Sequence, residues 1–324
     1  MNRRQFSTFI AATGIAPLGA AKANWRLATG YRAESFHTVN VASMVSDVAQ
    51  ATQGAFGIEV HPNNALVKLA EVRAAVESGQ IEAGETIMSS MVGEIPIAGA
   101  DSVPFIVSSF SDARRMWRHQ RPLIDKHFAR RGLQALFAVP WPPQGLYCNK
   151  PITSAADLKG SRMRTYNATT ARIAALLGAQ GVDVPMVEVG KAFADGRIDS
   201  MITSAVTGAE NKVWGHVKHY YEINAWFPKN IVFANARAVN ALQPAERDAL
   251  LRAAAAAETR GWAASEAAAA TSLDELRRNG MKVDRVPREF SSEIKRLGER
   301  FSLEWLRQVG PEANEIFVPY FTQG

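Results

Sequence analysis

The stretch LKGSRMRTYNATT, residues 158 to 170, places Arg162, Arg164 and Asn167 just after a glycine turn and just before a run of helix formers. Guanidinium is the side chain best matched to a carboxylate. Its planar fork donates two parallel hydrogen bonds, and it stays charged at any physiological pH. A helix start adds free N–H groups and partial positive charge, and both favour an anion. The stretch therefore has the makings of an anion site, and equally those of a strand end that carries surface ion pairs. On a strand, Arg162 and Arg164 point to one side and Met163 to the other. Arg164 is the stronger candidate because it abuts the helix start, whereas Arg162 sits nearer the solvated turn. Asn167 has the residue type of an N-cap for the helix ATTARIAALLG.

Other chemistries find no comparable constellation. The six histidines (37, 61, 119, 127, 216 and 219) include no HExxH spacing, and His216 and His219 lack a matching carboxylate motif, so no metal is expected. Cys148 is the single cysteine, which excludes intramolecular disulfides and Cys-rich zinc or iron–sulfur centres. On its apolar strand it reads as a small buried hydrophobe. No GxGxxG, P-loop or GxSxG occurs, so neither a cofactor nor an enzyme is expected.

Those residues must be positioned by a large fold. The chain has 324 residues, enough for two domains, with the apolar and charged fractions of an ordinary globular protein. Its opening, MNRRQFSTFIAATGIAPLGAAKA, reads as an export signal: a basic start, an apolar stretch and a small-x-small cleavage site at Ala23. Arg3 and Arg4 with Phe6 resemble a twin-arginine signal, and an ordinary Sec signal is the alternative. Either route leads to the bacterial periplasm. Without Arg3, Arg4 and Lys22 the formal charge of +6 falls to 34 basic against 31 acidic groups. No basic block remains, so no nucleic acid partner is expected. No later stretch reaches the roughly 20 apolar residues of a membrane span, so the mature chain is not expected to insert into a membrane.

Strand and helix patterns then alternate. WRLATG (25–30), FGIEVH (56–61), QIEAGETIMSS (80–90) and LQALFAV (133–139) read as strands. Between them lie helical stretches ending at Gly54 and Gly79, and a helix from Ser111 to about Arg131. PWPPQG (140–145) is a stiff connection, a plausible crossing between domains. A second series follows: GLYCNKPI, RMRTY, the helix NATTARIAALLGA, GVDVP, a short helix and DSMITS. IVFAN (231–235) reads as a strand returning to the first sheet. An Ala-rich helix then runs from Pro244 to Gly280, with Gly261 its candidate breaking point. The alternation predicts α/β architecture with mostly parallel sheets.

In this order the export leader, the first-strand pattern, PFIVSS, NKPITSAADLKGSRMR, the run LLGAQ…VPMVEVGKAFADGRID and the late long helix resemble a TRAP-transporter solute-binding protein of the DctP-like family. The resemblance covers nearly the whole mature chain and is most specific between Gly145 and Trp214. It implies a two-domain, type II-like periplasmic binding protein with hinge strands and a long domain-spanning helix. Residues 1–23 would be the signal. Domain I would comprise 24–141 plus 231–270, and domain II 142–230 plus 271–324, with the ligand in the cleft between them. The implied partners are a small organic acid and integral-membrane TRAP permease subunits. A binding protein serving an ATP-driven importer or a sensor is the alternative, and a periplasmic enzyme a more distant one.

The resemblance also implies roles. Arg164 stands at the family's LKGxxxR position and would clamp a carboxylate. Asn167 falls in its R-x-x-N pattern, where the asparagine faces the ligand, and one amide can both cap and bind. Thr203 aligns with a position usually occupied by asparagine, a departure from the family's D-G-Q-E-N run. Gln144 replaces a second arginine of many relatives, which favours one ligand carboxylate over two. Met186 is a candidate for an apolar wall. Trp141 at the hinge, Trp226 before the second crossing and Phe36 at the first long helix suit an aromatic or branched 2-hydroxy or 2-oxo acid, and equally suit core packing. Asn64 and Ser89 or Ser90 lie at or beyond the C-terminal ends of strands, where open α/β sheets present ligand contacts.

Overall fold

A computed structural model describes residues 23–322, so the expected export signal lies outside the described residues save for Ala23. The first half of the chain builds β1 (Ala23–Ala28), α1 (Phe36–Ala51), β2 (Phe56–His61), α2 (Val72–Ser78), β3 (Ala83–Ile87), α3 (Phe110–Arg130) and β4 (Leu133–Pro140). The second half opens with β5 (Gln144–Cys148), β6 (Arg162–Thr165), α4 (Ala168–Leu176), β7 (Gln180–Asp183), α5 (Val189–Ala194), β8 (Ser200–Ser204), α6 (Ala205–Glu210) and β9 (His219–Tyr221). The chain then recrosses into β10 (Lys229–Asn235), followed by α7 (Ala236–Ala241), α8 (Pro244–Arg278), β11 (Lys282–Asp284), α9 (Arg288–Val309) and α10 (Asn314–Thr322).

Two sheets result, of order β2-β1-β3-β10-β4 and β11-β9-β5-β8-β6-β7. IVFAN returns to the first sheet as β10, a strand buried along its whole length. Parallel pairings outnumber antiparallel ones only narrowly, because each crossing strand runs against its neighbours: β10 against β3 and β4, β5 against β8 and β9. The α/β class expected from the alternation is present, and its sheets are mixed.

The two crossings are hydrogen-bonded to each other as a ribbon. Trp141 N donates to Pro228 O (2.7 Å), Gln144 N to Trp226 O (3.1 Å) and Ala225 N to Gln144 O (2.9 Å). Such a two-stranded connection fixes the direction of both passages between the sheets. The long helix α8 runs unbroken through Gly261, contrary to the expected break. That glycine serves close approach: a Cβ there would collide with the Val139 side chain and stand 2.7 Å from Asn40 Nδ2. Asn40 in turn donates to Ala257 O of the same helix (2.8 Å), locking α1 to α8. The expected second helix is shorter than its pattern, because residues 62–68 form a loop with Asn63 and Asn64 at positive φ before a 3-10 turn and α2. Beyond Gly280, α9 buries Phe290, Ile294, Phe301 and Trp305 at helical spacing. Among the described residues no helix is long and apolar enough to cross a membrane.

Candidate functional site

Between the two sheets lies a cavity of about 480 Å³. Tyr31, Asn64, Leu69, Ile87, Ser90 and Trp141 line it from the first sheet and its loops, and Gln144, Arg164, Tyr166, Met186, Thr203 and Thr207 from the second. Most of these residues sit at or just past strand C-termini, where successive strands splay apart and leave a crevice.

Arg164 is the third residue of β6. Met163 beside it packs into the core, and Arg162 at the solvated end pairs with Asp199 at 3.1 Å. Arg164 itself is only 4% exposed. Its Nε donates to Val184 O (2.9 Å) and its guanidinium lies 4.7 Å over the Tyr166 ring. Among the described residues no hydrogen bond uses Nη1 or Nη2, and the Asp183 carboxylate attracts it without forming an ion pair. Burial pushes its pKa down to about 10, so it remains a cation at neutral pH. A buried cation without a paired carboxylate is costly.

Several other expected residues meet Arg164 in the cavity. Gln144 is buried at the start of β5, and its Nε2 donates to Pro142 O (2.8 Å). Thr203 Oγ1 donates to Thr207 Oγ1 (2.9 Å). Asn64 holds the rim loop, its Oδ1 accepting from Leu69 N (2.9 Å). Met186 and Trp141 complete this group.

The remaining four stand apart from the cavity lining. Asn167 caps α4, its Oδ1 accepting from Thr170 N (2.9 Å), and its Nδ2 donates to Ser89 Oγ (2.7 Å). Both ends of that amide are therefore occupied, and the pair ties the β3 end to the β6 end. Phe36 packs behind Trp141, edge to face at 5.5 Å. Trp226 is buried in the core against a small apolar space shared with Ile173, Phe290 and Phe301.

Sequence reasoning missed Tyr31 and Tyr166. Both follow strand ends, the signal that picked out Asn64 and Ser90, so the same rule applied to β1 and β6 would have found them. Behind Tyr31 and Trp141 sits a buried polar cluster. Glu85 on β3 accepts from Thr29 Oγ1 (2.6 Å) and Asn230 Nδ2 (3.0 Å), with His37 Nδ1 at 3.5 Å. Burial pushes Glu85 up to about 7 from its ordinary 4.5 and holds His37 well below its usual value. The folded state thus binds the Glu85 proton more tightly than the unfolded chain does. Its stabilising effect is full below pH 4.5 and is lost as pH rises to about 7. Glu210, also pushed up to about 7 by burial, adds to the same slope. Unfolding measured across this window should show wild type losing on the order of 3 kcal/mol more than Glu85→Gln. Parallel pH profiles for the two proteins would exclude a neutral Glu85.

Residues 29–303 match the model of DctP, the bacterial extracellular solute-binding protein family 7. Among solved structures, a Bordetella pertussis extracytoplasmic solute receptor binding pyroglutamic acid, DctP7, is 36% identical, with a TM-score of 0.91 over 93% of this chain and 100% of that one. A marine metagenome TRAP solute-binding protein specific for pyroglutamate is 35% identical, with a TM-score of 0.90 over 93% and 99%. A monocarboxylate 2-oxoacid-binding periplasmic protein of Nostoc sp. is 28% identical over 58% of this chain and 52% of its own length. The chain spans about half the length of the curated relatives it matches.

Proposed function

Because the chain belongs to the DctP family of bacterial extracellular solute-binding proteins, family 7, we propose that it is the receptor of a TRAP-type transporter: it captures a small organic monocarboxylate in the periplasm and passes it to integral-membrane permease subunits. The observation that carries this reading is Arg164, a buried cation on the cavity wall with two nitrogens that no hydrogen bond among the described residues engages. Its fork would take both carboxylate oxygens. The lobes that would close on the ligand are 24–141 with 231–270 and 142–230 with 271–324. Ligand favours the closed form because only there do both lobes touch it.

The ligand class we infer is a compact monocarboxylate of about the size of pyroglutamate. The neutral Gln144 and the apolar Leu69, Ile87 and Met186 support one charge on a partly apolar body. The relatives at 35% and 36% identity that bind pyroglutamate support the size. Aromatic and branched 2-hydroxy or 2-oxo acids belong to the same class, and a panel ranks them.

Thermal unfolding of the mature protein against pyroglutamate, 2-hydroxy and 2-oxo acids, dicarboxylates and sugar acids tests the reading. At 100 times Kd a ligand adds about 2.7 kcal/mol of stability, a rise of several degrees in the midpoint. The expected result is a shift with monocarboxylates and none with dicarboxylates. A shift confined to dicarboxylates or sugar acids would overturn the polarity assigned to the cavity. No shift with any carboxylate would remove Arg164 as an anchor.

A further inference from the structure

We propose that Tyr31 sets the hydrogen-bond polarity of the cavity: its hydroxyl faces the ligand as an acceptor, so the receptor prefers carboxylates that carry an N–H or O–H group over isosteres that carry only acceptors. This rests on the carboxylate reading above and narrows it.

Trp141 Nε1 can only donate, and it lies 2.8 Å from Asn230 Oδ1. Turning the Asn230 amide around would set N–H against N–H, so its orientation is determined. Asn230 Nδ2 must then face Glu85 Oε1, which it does at 3.0 Å, and Thr29 closes the far side of that carboxyl. Tyr31 Oη lies 3.0 Å from the same Asn230 Oδ1, so the single hydroxyl proton is spent there. Lone pairs are all that Tyr31 has left to offer.

Those lone pairs belong to a residue that lines the cavity. Arg164 and Tyr166 line the same cavity, with the Arg164 guanidinium 4.7 Å over the Tyr166 ring. Gln144 repeats the pattern. Its Nε2 is turned to the Pro142 carbonyl, which only accepts, and among the described residues no hydrogen bond uses its Oε1. Donors at Arg164 thus stand with acceptors at Tyr31 and Gln144. A lactam or a 2-hydroxy acid meets this arrangement with N–H or O–H. A 2-oxo acid or a lactone brings an acceptor to an acceptor.

The test compares pyroglutamate with its lactone isostere, 5-oxotetrahydrofuran-2-carboxylate, in which oxygen replaces the ring N–H at equal charge and nearly equal shape. Calorimetric titration of the mature full-length protein should show the lactam binding tighter by about tenfold or more. In Tyr31→Phe the ratio should fall to within about threefold, chiefly through weaker lactam binding. The wild-type ratio carries the test even should the variant fail to fold. Equal wild-type affinities would overturn the polarity assignment and leave the carboxylate reading standing. A ratio that survives in Tyr31→Phe would remove Tyr31 from the role. Binding of neither compound would overturn this inference and leave the carboxylate reading to the wider panel of acids.

Discussion

Arg164→Ala should lower the affinity for the carboxylate ligand by about 30- to 4,000-fold, corresponding to the roughly 2–5 kcal/mol lost when a buried charge partner is truncated. For a ligand bound near a micromolar Kd, most of that range puts binding beyond what supports uptake. The same substitution should leave the ligand-free protein about as stable as wild type. In the unliganded fold the guanidinium is buried with one carbonyl, Val184 O, and the face of Tyr166, and no carboxylate among the described residues pairs with it, Asp183 only attracting it from farther off. Its removal deletes a desolvation cost along with one hydrogen bond. Arg164→Lys keeps the charge but loses the fork and the stacking on Tyr166, so it should fall between wild type and alanine. Titration calorimetry gives the affinities, and thermal unfolding without ligand gives the control. An alanine variant binding within about threefold of wild type would show that another group holds the carboxylate.

The place of Arg164 on the cavity wall was legible because the RMR pattern on a short strand, followed by an N-cap, specifies both a side and a position. What the pattern does not contain is the state of Arg164: Val184, Tyr166 and the lack of an ion pair follow from packing between β6, β7 and the cavity. Asn230 was illegible for a related reason. It lies in the buried strand KNIVFAN, and its hydrogen bonds run to Glu85, 145 positions earlier, and to Trp141 and Tyr31 from two other loops. Nothing local distinguishes it. Phe36 and Trp226 show the limit for aromatics, since ring type says nothing about which side of a sheet or helix the ring occupies. The expected break in α8 came from the low helix propensity of glycine. At Gly261 propensity is overridden, because only a residue without Cβ lets the helix approach Val139 and Asn40. The parallel majority is narrow because β5 and β10, the strands that the crossings deliver, run antiparallel to their neighbours, and crossing direction is not written in hydrophobic periodicity.

Asp101→Asn should cost about 3–5 kcal/mol of folding stability, the typical loss when one partner of a buried ion pair is removed. Lys229, the first residue of β10, is completely buried, and its Nζ lies 3.0 Å from Asp101 Oδ2. The same carboxylate accepts from Lys229 N (2.9 Å), and its Oδ1 accepts from Ser102 Oγ (2.9 Å). The pair therefore pins the point where the recrossing chain re-enters the first sheet. Burial pulls the Lys229 pKa below its ordinary value, and the charge of Asp101 opposes that pull. With asparagine at 101 the ammonium faces a neutral amide and the Trp117 ring, 5.7 Å away, with Glu258 a weaker and more distant attraction. It should then shed its proton in the folded state while the unfolded chain keeps it. The variant binds fewer protons folded than unfolded, so its stability should rise with pH up to about 10.4, the ordinary lysine value. Chemical denaturation of wild type and variant at neutral and alkaline pH measures both the loss and its recovery. The double variant Asp101→Asn with Lys229→Met should restore much of the stability at neutral pH, because the amide oxygen still accepts from Lys229 N while the methionine needs no partner. A loss under about 1 kcal/mol in Asp101→Asn would mean that water reaches Lys229 and that the pair is worth no more than a surface bridge.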